Sequence, residues 1–307
     1  MRDYPPSESN LHMDVLLNCA VNTAAVPVLD RRRPAVLAPF LGESVLVHAL
    51  AGLAAAGTRR VCLLPADRAE EFRPFVGRGN PWGLEIQLAP AGGPPPPEFA
   101  TARAVLLDRL PQLPDQPLWE SYPGWFAAQQ ALLPTVARQR VGMREVSPGV
   151  FVGLRSQVAA DAQLLAPCWI GANVFVGPSA IIGPAAIVED GSYVDAGAEI
   201  SGSLLGPGTY AGSFTEIRGS FAAGSELLNL ASGSVTEVTD RFLLGTVQPP
   251  AGGGGGWRRL FQLGRPSRAR PVAADRTALT GGWGTTGERL EGNPGGSEPG
   301  RMPPAGL

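Results

Sequence analysis

The chain has 307 residues, 44% apolar and 17% charged, enough to bury a core in each of two modest domains. Its net charge of −2 and pI near 5.8 leave no basis for electrostatic capture of nucleic acid or of an anionic membrane. The first residues lack the basic-then-apolar layout of a secretion signal and no apolar run reaches about eighteen residues, so a cytoplasmic protein without a transmembrane segment is expected. Cys19, Cys62 and Cys168 each sit in an apolar run and are too scattered for a disulfide framework or a zinc site; they are read as reduced core residues.

After a flexible start, residues 1–12, residues 13–108 alternate between strand and helix patterns. The apolar run Val15, Leu16, Leu17 is a buried strand. Ser44 caps a helix whose stripe is Val45, Leu46, Ala49, Leu50 and Leu53, with Gly57 ending it and His48 on the far, solvent side. Residues 61–64, 84–88 and 104–107 read as further strands, and residues 67–76 as a short helix closed by Gly77 and Gly79. This alternation predicts an α/β domain with a wound parallel sheet, since parallel neighbours need crossover connections. Residues 109–145, rich in proline, form a connector with a helix near residues 125–133.

From residue 146 to 247 the period becomes six. Val152, Val158, Leu164, Ile170, Val176, Ile182, Val188, Val194 and Ile200 fall in one register, which then slips by one to Leu205, Ala211, Ile217 and Ala223. Such spacing predicts a left-handed parallel β-helix of hexapeptide repeats, three to a coil, with the aliphatic ladder along its axis. Gly153, Gly171, Gly177 and Gly183 follow the ladder residue where a turn favours positive φ, and residues 235–244 are expected to cover the open end. Trp169, Phe175 and Tyr193 point outward, either as a contact surface or as packing against the rest of the chain. Residues 248–307, rich in glycine, proline and arginine, should be a disordered tail, in which Trp257, Arg258, Arg259, Leu260 and Phe261 make a basic and aromatic patch, either a docking motif for a partner or membrane surface or simply part of an unselected tail.

Pro34, Ala35, Val36, Leu37, Ala38 and Pro39, then Gly42, then residues 45–50 and Leu53, resemble the Pro-Lys-x-Leu-x-Pro segment, glycine and following helix of the sugar-1-phosphate nucleotidylyltransferases. The order of α/β domain and β-helix is similar to that of mannose-1-phosphate guanylyltransferase and acetylglucosamine-1-phosphate uridylyltransferase. The resemblance implies transfer of a nucleotide from a nucleoside triphosphate to a sugar 1-phosphate, with release of pyrophosphate and with Mg2+ as cofactor. It places a magnesium-binding carboxylate at Asp108, after the fourth strand.

The sequence departs from that pattern where phosphate chemistry needs it most. Residues 21–33 contain no glycine, Ala35 stands at the signature lysine, and only residues 109–145 occupy the place of a long sugar-binding portion. Arg31, Arg32 and Arg33 could restore positive charge as a phosphate clamp. The expectation is therefore a catalytically inactive or impaired relative, a scaffold or regulatory subunit that retains at most a sugar-nucleotide or triphosphate site. Two alternatives stand beside it. One is a β-helix acyltransferase, which the lack of histidine in residues 146–247 disfavours; the other is a structural module that forms a homo-oligomer, a trimer by the resemblance.

Overall fold

The computed structural model describes residues 14–75 and 82–247. Residues 1–13, with the start expected to be flexible, Gly77 and Gly79, and the tail with its Trp257 to Phe261 patch lie outside the described residues.

The chain is of the α/β class. Four parallel strands stand in the order Glu85–Leu88, Arg60–Leu64, Val15–Asn18, Arg103–Leu106, with the first strand in the interior of the sheet. Its alternate residues Val15 and Leu17 face the larger core, whereas Leu16 meets Cys62, Ala89 and Phe99 on the opposite side. Helix α1 (Pro27–Arg31) begins on a proline, which forfeits no helical hydrogen bond there. Helix α2 (Val45–Ala55) begins where Ser44 Oγ accepts the Val47 amide at 3.3 Å, and its expected stripe is buried. The segment expected as a helix over residues 67–76 is instead a 3-10 turn, Ala69–Phe75, with Pro74 inside it.

Helix α3 (Tyr122–Gln139) outruns its expected end near residue 133. Pro134 reads as a stop, yet its ring faces solvent while Val136 and Ala137 in the next turn are buried. Their burial outweighs the lost hydrogen bond.

Beyond residue 147 the chain visits three parallel sheets in turn. One contains Val150–Val152, Cys168–Ile170, Ala186–Val188, Leu204–Leu205 and Ser220–Ala223; a second Gln157–Val158, Phe175–Val176, Tyr193–Val194 and Thr209–Ala211; a third Gln163–Leu164, Ile181–Ile182, Glu199–Ser201 and Glu216–Arg218. Ladder residues pair directly across neighbouring strands, Ile170 with Val188, Val176 with Val194 and Ile182 with Ile200, and all six are fully buried in one cluster. Each contributes about 1.5–3 kcal/mol of burial. Val158 and Leu164, where the stack begins, are only half-buried.

Three details differ from expectation. The ladder ends on Ala222 rather than Ala223: Leu205 pairs with Ala222, because Gly219 at φ +55° shortens the corner, and Ala223 points outward. Of the glycines behind the ladder only Gly183 has the expected positive φ, at +109°; Gly153, Gly171 and Gly177 serve close approach instead. A Cβ on Gly153 would lie 2.6 Å from the Gly171 carbonyl, and one on Gly177 2.8 Å from the Ala196 amide, whereas positive φ recurs two residues later in successive coils, at Arg155, Asn173, Gly191 and Gly208. The end cover also begins earlier than residue 235. Glu226–Asn229 and Val235–Glu237 extend the first face antiparallel, and Leu244–Thr246 pairs antiparallel with Thr209–Ala211.

The first face is apolar on both sides. Val150, Val152, Cys168, Ile170, Ala186, Val188 and Leu205 point inward, while Phe151, Trp169, Ile187, Leu204 and Phe221 point outward into a cluster shared with α2, α3 and the four-stranded sheet. Trp169 is thus no exposed contact residue; it is fully buried by the chain's own α/β portion. Trp125 of α3 packs on Phe221 at 5.6 Å and on Phe40 at 6.5 Å between ring centroids, which carries the contact across the joint. Phe175, Tyr193 and Tyr210 on the second face remain half-buried, with Phe175 stacked on Tyr193 at 4.4 Å.

Candidate functional site

A group of buried and half-buried polar side chains lies at the joint between the two portions. The turn Leu41, Gly42 joins Pro39–Phe40 to Glu43–Ser44 as an antiparallel pair ahead of α2. Leu41 has φ +52° and Gly42 φ +80°, a left-handed turn that presents the Gly42 amide to the coil. Glu189, directly after ladder residue Val188, accepts that amide on Oε2 at 2.6 Å. Its other oxygen, Oε1, has no hydrogen-bond partner, and the residue is wholly buried.

Arg140, just past α3, closes the group. It donates to Asp190 Oδ2 at 2.6 Å and to the Leu41 carbonyl at 3.2 Å, and its guanidinium lies 5.5 Å from the centre of the Trp169 ring. Asp190 accepts the Ala172 amide at 2.8 Å on its other oxygen, which pins one coil to the next. A side chain on Gly42 would occupy the space of the Arg140 guanidinium, so glycine is needed there for room as well as for its φ.

His48 was expected on the surface and is instead buried, with Nε2 2.7 Å from the Phe40 carbonyl and the ring edge-on to Phe40. The helical stripe alone does not show that the Phe40 hairpin folds back over that side of α2. Burial holds its imidazole below the usual histidine range, with the Phe40 contact pulling the other way and Arg140 adding to the depression. Burial drives the Glu189 carboxyl up to about 8, with Asp190 adding to the rise and the Gly42 amide, Arg140 and Leu41 opposing it.

The residues singled out from sequence lie elsewhere. Arg31 and Arg32 both reach Glu226, at 3.4 and 3.3 Å, while Arg33 is exposed. Asp108 is half-exposed, its charged neighbour is the cation of Arg109 at 3.8 Å, and its carbonyl accepts the Leu118 amide. Among the described residues no group of three or more histidine, cysteine or acidic side chains lies together as a metal cradle. Asp108 beside an arginine does not fit a divalent cation, and no step is routed through one. All three cysteines are free and buried, and burial pushes the Cys19 and Cys168 thiols up to about 12, which leaves them unreactive near neutral pH.

Arg140, Glu189 and Asp190 were not singled out by sequence reasoning, and Gly42 was named only as part of the resembling segment, yet a signal existed. On the first face the residue after the ladder is Gly153, Gly171, Glu189, Gly206 and Ala223 in successive coils, so a carboxylate stands in a column otherwise filled by glycine and alanine. Fold and site together define an α/β protein with an internal buried acid and ion pair at the joint of its two portions. No protein-family model matches this sequence, and no curated protein is significantly similar to it. Among the described residues no helix is long and apolar enough to cross a membrane.

Proposed function

We propose that the chain is a sugar-1-phosphate nucleotidylyltransferase-like protein, its repeats wound as a left-handed parallel β-helix, that acts as a scaffold or regulatory subunit rather than as a catalyst. The reading rests first on the loop after the central strand. Phosphate capture there requires free backbone amides, but Ala20 and Ala24 donate to the side chains of Asn18 and Asn22, Val21 and Val26 to loop carbonyls, and Val28 to the Tyr122 hydroxyl. A loop closed on itself in this way offers a triphosphate little. The engagement of Arg31 and Arg32 by Glu226 supports the same reading.

The test is a pyrophosphate-release assay with Mg2+, nucleoside triphosphates and hexose 1-phosphates, run beside a thermal-shift panel of sugar nucleotides. No release above buffer is expected; robust turnover overturns the proposal. Stabilisation by a GDP- or UDP-sugar without turnover would assign a retained regulatory pocket.

A second reading, a module that self-associates, is favoured by the half-buried ladder Phe175, Tyr193, Tyr210 on the second face. Light scattering on the eluting full chain decides it: a monomer at all concentrations removes the reading.

A further inference from the structure

We propose that Glu189 is a proton-operated latch between the α/β portion and the coil: protonated, it holds the joint closed on the Gly42 turn; ionised, it loosens it. The contact spans 147 positions of sequence, and its carboxyl is cut off from water with one oxygen unpartnered. Two charged groups act on it, Asp190 next to it on the coil and Arg140 after α3, while Glu43 on the hairpin and His48 on α2 also lie within reach of Arg140.

The only cation among these, Arg140, is committed to Asp190 and to the Leu41 carbonyl. An ionised Glu189 would be a wholly buried carboxylate sharing with half-buried Asp190 that one guanidinium, whereas a neutral carboxyl still accepts the Gly42 amide and leaves only a neutral oxygen unpaired. Burial and Asp190 accordingly raise its proton affinity to a midpoint of about 8.

The sign follows from linkage. The folded chain holds a proton that the unfolded chain releases near the ordinary value of 4.5, so stability is full below that value, falls as pH rises towards about 8, and is level above it. His48, held below its ordinary 6.5, acts in the opposite sense on the acid side, and the buried Cys19 and Cys168 thiols, ordinarily near 9, add an alkaline loss of their own as pH approaches 9, so the interval from about pH 6.5 to 8 isolates Glu189.

The test compares the full chain with its Glu189→Gln variant, which keeps the acceptor and cannot ionise. Melting midpoints are read from about pH 6.5 to 8, with amide exchange at Gly42 corrected for its intrinsic pH dependence. The natural chain should lose on the order of 5 °C across the window and lose protection at Gly42, while the variant stays level and melts higher at the alkaline end. Equal slopes in the two proteins overturn the latch. A carbon-NMR titration of the natural chain, with labelled glutamate, tests it without any variant: a Glu189 carboxyl already charged at about pH 6.5 overturns it as well.

Discussion

Arg140 meets Asp190 at 2.6 Å, and this ion pair ties the end of α3 to the coil. Both side chains keep some exposure, at 20% and 34%, so the pair is worth less than a fully buried one. Removing the guanidinium nevertheless costs three contacts, since it also bonds the Leu41 carbonyl and lies over Trp169. Arg140→Ala should lower stability by about 2 kcal/mol in urea unfolding, and Arg140→Lys by less, because charge survives while the fork is lost. An unchanged midpoint for Arg140→Ala would remove the pair from the joint.

Gly42→Ala strikes the same place from the other side. The new methyl falls on the Arg140 guanidinium, in a backbone conformation at φ +80° that disfavours a side chain. The expected loss is about 2–4 kcal/mol, combining backbone strain with displacement of the arginine. Gly57, with φ +87° and open space around a Cβ, is the control: its alanine variant should lose only about 1 kcal/mol.

Gln129 on α3 is fully buried, and neither its amide nitrogen nor its amide oxygen has a partner. Exchanging it for an apolar residue of similar shape removes a desolvation cost and leaves packing intact. Gln129→Leu should therefore raise stability by about 1–2 kcal/mol, read as a higher denaturation midpoint at unchanged slope.

His48 sets the acid limb. Because burial lowers its proton affinity, the unfolded chain binds a proton that the folded chain refuses; stability is full above the ordinary value of 6.5 and declines as pH falls below it. His48→Gln should flatten that decline between about pH 6.5 and 5, in equilibrium unfolding at several pH values. A parallel pair of curves would show that His48 takes up its proton in the folded state without cost.

How much of this was legible beforehand depends on whether one axis or several bury a residue. The ladder from Val152 to Ile200 was legible because each side chain answers only to the coil axis, which imposes a fixed period. The shift to Ala222 was not, since it comes from one short corner at Gly219 that composition does not mark. His48 was misjudged, and Trp169 left between two readings, for a common reason: each faces away from its own element's core and is covered by another segment, the Phe40 hairpin for His48 and the α/β portion for Trp169. Glu189 and Asp190 look like solvated corner residues until the Gly42 turn and Arg140 are brought over them.

The account turns on the outward side of the first face, where Phe151, Trp169, Ile187, Leu204 and Phe221 merge the coil's platform with the α/β core into one buried cluster. Scanning calorimetry of the full chain and of Trp169→Ala tests this most directly. One cooperative transition, with calorimetric and van't Hoff enthalpies equal, is expected, and in the variant that same transition should move down as a whole by about 3–5 kcal/mol of stability. Two separate transitions in the natural chain, or a variant in which only one of two moves, would contradict the account.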